Sequence, residues 1–166
     1  GRTGIILSHL TKLETLHLTA PSGVSARSQL PACLTSLTLV GAAEAVSGLS
    51  GLQHLWLVQT RKAVPFLQAL PKQPKLLRLD MALHGCSRQQ LQQVFSAVSR
   101  CTQLTRLHLF NRNADPDSGP AGKRFGDFSV NLTGVRVPKQ LGNLRLLQRL
   151  KLTQMKWDDW GASQLT

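Results

Sequence analysis

Leucine recurs along this chain in short bursts with a fixed internal rhythm. In 141–152, LGNLRLLQRLKL, leucines stand at 141, 144, 147, 150 and 152, in steps of three closed by a step of two. A helix face would need apolar residues four positions after Leu141 and Leu144, where Arg145 and Gln148 stand. Leu150-Lys151-Leu152 alternates instead like a strand. The core phrase, Leu-x-x-Leu-x-Leu, appears in full at Leu13/Leu16/Leu18, Leu34/Leu37/Leu39, Leu52/Leu55/Leu57, Leu104/Leu107/Leu109 and Leu147/Leu150/Leu152. Pro74/Leu77/Leu79 reads as a degenerate copy. Each copy predicts one short strand with its leucines inward, followed by a return segment. No single copy can bury its own leucines, so the copies must stack, each leucine against its equivalent in the next.

Between copies the spacing is irregular, and the longer gaps have room for more structure. Within 87–100, SRQQLQQVFSAVSR, the residues Leu91, Val94, Phe95 and Val98 form one helical face and Ser87 is placed to cap it. Short turns are expected at 42–49 and at 67–70, the latter stopped by Pro71. The stretch 113–128, NADPDSGPAGKRFGDF, has no apolar period and is rich in Asp, Gly and Pro, which predicts a surface loop.

This grammar resembles the leucine-rich repeat family over nearly the whole chain. The resemblance implies an α/β fold: a curved solenoid with a parallel sheet on its concave face and short helices and turns on its convex face. It would form a single domain over 1–166 with six to seven repeats and the loop insertion at 113–128. The family phrase continues to an asparagine, and here that position reads Pro21, Ala42, Thr60, Ala82, Arg112 and Met155, so the usual asparagine ladder is missing. Residues 131–144, NLTGVRVPKQLGNL, are similar to the plant-type repeat, with Arg136 as an extra residue before Pro138 and a short second strand expected at 133–135. That likeness points to the green lineage. Neither end offers a polar cap, and Trp157 to Thr166 reads as entry into a further repeat, which predicts a piece of a longer array.

Charge sharpens the functional expectation. Twenty Lys and Arg against eight Asp and Glu give a formal charge of +12, which favours an acidic partner. The three cysteines, Cys33, Cys86 and Cys101, are few and widely spaced. They suit a reducing intracellular compartment, cytoplasm or organelle interior, better than a disulfide-stapled scaffold. Cys101 falls where other copies carry leucine and reads as a small core residue. No apolar window is long enough to span a membrane.

With the leucines inward, the residues between them face outward on the concave side. Strand by strand these are Thr15-His17-Thr19, Ser36-Thr38-Val40, His54-Trp56-Val58, Leu76-Arg78-Asp80, Arg106-His108-Phe110 and Arg149-Lys151-Thr153. Six strands at about 4.8 Å each present a surface roughly 24 Å across. Its second half carries the candidate partner-binding residues His54, Trp56, Arg78, Asp80, Arg106, His108, Phe110, Arg149 and Lys151. Guanidinium groups meet carboxylate or phosphate, and the aromatic rings can anchor an apolar group or a base. Lys123 and Arg124 in the loop are further contact candidates.

Catalytic and metal signatures fail on inspection. His17 and His54 lie on different strands and are offset, with no carboxylate cluster to complete a metal site. Asn113-x-Asp115-x-Asp117 imitates a calcium loop, but its glycine is late and Arg124 occupies the closing glutamate position. Gly122-Lys123 lacks the upstream glycine and the following hydroxyl of a phosphate loop. Neither enzyme activity nor a cofactor is expected. The expected role is a non-catalytic scaffold that binds a protein partner, acidic in character, through the concave face. Two alternatives are an RNA-associated structural subunit of an organelle ribonucleoprotein and the ligand-recognition region of a receptor or immune-type protein.

Overall fold

The structure is a computed structural model that describes residues 4–24, 28–43, 49–58, 70–83, 86–110, 130–131, 141–153 and 155–156. Its centre is a six-strand parallel sheet built from β1 (Thr15–Val24), β2 (Ser36–Ala43), β3 (His54–Val58), β4 (Arg78–Ala82), β5 (Arg106–Phe110) and β7 (Arg149–Thr153), in that spatial order. Two residues of β6 (Val130–Asn131) pair with β8 (Met155–Lys156) in a separate small parallel sheet. The insertion 113–128 with Lys123 and Arg124, the strand expected at 133–135 and the segment from Trp157 lie outside the described residues. Among the described residues no helix is long and apolar enough to cross a membrane.

The leucine rhythm sets the register. Leu16, Leu37, Leu55, Leu79, Leu107 and Leu150 are successive Cα partners across the sheet, and Leu18, Leu39, Leu57, Met81, Leu109 and Leu152 form a second file. From Leu37 to Leu109 these side chains are fully buried. Exposure rises toward the ends of the sheet, where Leu16 and Leu18 are half-buried and Leu150 is 37% exposed. The gain from burial is therefore concentrated in the four middle strands.

Entry to each strand is equally regular. Leu13, Leu34, Leu52, Leu76, Leu104 and Leu147 each donate a backbone N–H to the carbonyl three residues earlier, that of Leu10, Pro31, Leu49, Gln73, Cys101 and Leu144 respectively. One residue after each of these leucines but the last comes a carbonyl that takes two N–H groups from the following strand entry. Glu14 serves Thr35 and Ser36, Thr35 serves Gln53 and His54, Gln53 serves Leu77 and Arg78, Leu77 serves Thr105 and Arg106, and Thr105 serves Gln148 and Arg149. Thr35 and Thr105 add their hydroxyl protons to the same acceptors. Backbone polar groups at the strand entries are thus satisfied without an asparagine ladder.

This ladder corrects the sequence reading of the fourth copy. The structure aligns Leu76/Leu79/Met81 with its neighbours, so the copy is not degenerate and Pro74/Leu77/Leu79 is displaced by two residues. Leu77 occupies the position of Gln53 and Thr105 and is 42% exposed, whereas Leu76 is buried and is not an outward member of β4. Period two is blind to such a slip, because a shift of two residues keeps every side chain on the same face.

Helix α1 (Arg88–Val98) fills the gap between β4 and β5, with Ser87 as N-cap. The Ser87 hydroxyl accepts from the Gln90 N–H at 3.3 Å while the Ser87 N–H donates to Gln90 Oε1 at 2.9 Å, a reciprocal capping box. Leu91, Val94, Phe95, Ala97 and Val98 are buried against the leucine core. Cys101 joins that core at the turn position that Leu49 and Leu144 hold elsewhere. The turn expected at 67–70 lies, apart from Leu70, outside the described residues, and Pro71 lies inside a 3-10 turn, Leu70–Lys72. Its fixed φ and absent N–H are tolerated at the start of such a turn.

Candidate functional site

The face opposite the leucines is a lattice set by strand register. One file reads Thr15, Ser36, His54, Arg78, Arg106, Arg149, and the next reads His17, Thr38, Trp56, Asp80, His108, Lys151. All nine residues singled out on the sheet therefore sit on one surface, over β3, β4, β5 and β7. Arg78, Arg106, Arg149 and Lys151 are exposed, while His54, His108 and Phe110 are half-buried. No other strand of this sheet contributes an acid, so Asp80 is its only carboxylate.

Asp80 is the centre of the lattice. Its side chain is only 6% exposed. Oδ2 accepts the Nε–H of Arg78 at 2.8 Å and lies 2.9 Å from His54 Nε2, while Oδ1 lies 3.3 Å from His108 Nδ1. Burial pushes the Asp80 pKa up, but hydrogen bonds from Arg78 and His54, with their charge, outweigh it and hold the carboxyl below its ordinary value. A buried carboxylate is tolerated when it is paired in this way. The network extends on both sides: Ser36 Oγ is 3.5 Å from His54 Nδ1, and Thr153 Oγ1 is 3.3 Å from His108 Nε2. When a neutral His54 donates from Nε2 to Asp80, its Nδ1 is the acceptor for the Ser36 hydroxyl. The result is a polar chain from β2 to β7, Ser36–His54–Asp80–His108–Thr153.

That linkage is the part sequence reasoning missed. The sequence reading places His17, His54 and His108 on one face as solvated histidines, with no carboxylate cluster joining His17 to His54, whereas in the structure Asp80 lies beside both His54 and His108. The signal was available in the register: Asp80 is the lateral neighbour of His108 and the diagonal neighbour of His54 once Trp56 and Asp80 are paired. His17 stays apart, its Nε2 3.4 Å from Thr19 Oγ1. Among the described residues no three His, Cys, Asp or Glu are grouped to hold a metal ion.

Two aromatic rings stand beside the polar chain. Trp56, 41% exposed, meets Phe110 edge-on, with centroids 6.5 Å apart and planes at 78°. Phe110 also lies over His108 at 5.0 Å. On the other side of His108 an open recess of about 200 Å³ is lined by Arg78, Asp80, Arg106, Leu107, His108, Arg149 and Lys151. Arg78 is committed to Asp80, but among the described residues Arg106, Arg149 and Lys151 make no ion pair. Three cations without an ion-pair partner among the described residues thus line a recess in a lattice that holds one internally neutralised acid. Lys123 and Arg124 lie outside the described residues. Comparison of the chain with protein-family models, with curated proteins and with solved structures returned no match.

Proposed function

We propose that this chain is a non-catalytic interaction module, a solenoid of the leucine-rich repeat kind, that binds a protein partner through the outer face of its six-strand sheet. What supports the repeat reading is the six-fold recurrence of the leucine files and the strand-entry turn, with five two-donor carbonyls linking the copies. The observation that carries the binding reading is the exposed set Arg106, Arg149 and Lys151, which make no ion pair among the described residues, on the same face as the exposed Trp56. Like charges on adjacent strands repel and lower stability, so a partner that neutralises them would recover that cost. Large exposed aromatics and arginines are also the side chains that most often carry binding energy at interfaces.

The test is affinity capture of partners from lysate, with and without nuclease, followed by hydrogen-exchange mapping of the complex. A nuclease-resistant protein complex that protects β3, β4, β5 and β7 is the expected outcome, with Trp56→Ala costing about 2 kcal/mol or more in binding. Protection confined to the α1 side would reject this choice of surface. Capture abolished by nuclease would favour the RNA-associated alternative, in which the positive charge neutralises phosphates with a steep dependence on salt.

A further inference from the structure

We infer that the recess between β4, β5 and β7 is a carboxylate-binding subsite, and that its occupant is an acidic segment of the protein partner. This rests on the reading of the sheet face as a binding surface and names the chemistry it takes. Arg106 and Arg149 are Cα partners on adjacent parallel strands, as are His108 and Lys151. Neighbouring strands stand about 4.8 Å apart, so two guanidinium groups and one ammonium converge on a recess of about 200 Å³. Charge-assisted hydrogen bonds from guanidinium to carboxylate are short and often bidentate, and among the described residues these three cations make none.

The cluster around Asp80 makes the recess selective. Asp80 draws Arg78 and both imidazoles toward itself, and Arg106, Arg149 and Lys151, which also line the recess, make no ion pair among the described residues. Asp80 also places a fixed negative charge on the floor, which limits how much anionic charge can enter. A small number of carboxylates fits that balance better than a run of phosphates. The aromatic groups agree with a peptide rather than a nucleic acid. Trp56 and Phe110 meet edge to face, and Phe110 lies over His108, so they form an apolar shoulder rather than parallel platforms for successive bases. An acidic segment with an adjacent apolar side chain meets both the recess and that shoulder.

The experiment is amide NMR titration of the full 166-residue chain with hexaglutamate, with inorganic phosphate and with a mixed-sequence single-stranded RNA at the same ionic strength. Hexaglutamate is expected to move signals of β4, β5 and β7. Arg106→Ala and Arg149→Ala are each expected to weaken it about tenfold, while Arg100→Ala, an exposed charge after α1, changes it by less than about twofold. Asp80→Asn is expected to strengthen binding by about threefold, since it removes a like charge from the floor. Equal losses at Arg100 and Arg106 would reduce the effect to bulk charge and overturn the subsite. Tighter binding of the RNA or of phosphate through Arg106 and Arg149 would overturn the carboxylate assignment. Should the peptide bind here while lysate partners map to another surface, the subsite stands and the proposed interaction face falls.

Discussion

His54 Nε2 lies 2.9 Å from Asp80 Oδ2, the same oxygen that takes the Arg78 Nε–H at 2.8 Å. One buried carboxylate oxygen therefore fastens β3 to β4 and orders two side chains of the outer face. Asp80→Ala removes the acceptor and leaves a small void, and is expected to destabilise the fold by about 1–2 kcal/mol. The figure sits at the low end for a charged hydrogen bond because Arg78 is 47% exposed and can return to water. Urea midpoints at constant slope measure it. A variant as stable as the parent would mean that desolvating Asp80 costs as much as its partners return.

The same carboxylate sets a pH dependence whose sign follows from its shift. Asp80 is held below its ordinary 3.8 in the folded chain, so the unfolded chain binds its proton at a higher pH. Its contribution is then fully present above 3.8 and is lost as the pH falls through the lower folded value. The stability gap between the parent and Asp80→Asn should narrow as the pH falls below 3.8. Urea midpoints at fixed ionic strength follow the gap. A gap that does not narrow below 3.8 would mean that the Asp80 carboxyl is not held below its ordinary value.

Much of the sheet was legible because leucine spacing carries both periods, two within the strand and three in the turn that leads into it. Ser87, Leu91, Val94, Phe95 and Val98 announced α1 for the same reason: a cap and a helical face are local patterns. The fourth copy failed where local pattern is degenerate. Pro74/Leu77/Leu79 and Leu76/Leu79/Met81 both satisfy the alternation, and the choice depends on which carbonyl, that of Gln53 or of a neighbour, receives the next strand entry. The outer face was legible as a list of residues but not as a network. Joining His54 to Asp80 and Asp80 to His108 requires lateral register between copies, and the two-residue slip in β4 had removed it.

The register correction is itself testable with two leucines in one copy. Leu79 is fully buried between Leu55 and Leu107, whereas Leu77 is 42% exposed. Leu79→Ala should cost about 2–5 kcal/mol, the range for a core leucine whose cavity cannot close fully. Leu77→Ala should stay within about 0.5 kcal/mol, as expected for a surface substitution. Chemical denaturation of the two variants side by side decides the matter. Comparable losses would restore Leu77 to the core and with it the displaced alignment.

Thiol chemistry gives an independent reading of the same core. Cys101 replaces leucine at the turn into β5, is 7% exposed, and its Sγ–H points at the Ala97 carbonyl 3.5 Å away. Burial pushes its pKa from 9.0 up to about 11, against a small opposing effect of the Arg100 charge. Since the thiolate is the reactive form, near pH 8 this lowers the reactive fraction about a hundredfold, and burial restricts access further. Cys33 and Cys86 are only partly buried. Titration of the native chain with a disulfide reagent should therefore show Cys33 and Cys86 reacting first, with Cys101 following only at the rate of unfolding or on adding urea. Peptide mapping of the labelled sites checks the order. Rapid labelling of Cys101 in the native chain would show that the turn joining α1 to β5 opens to solvent, contrary to its place in the leucine core.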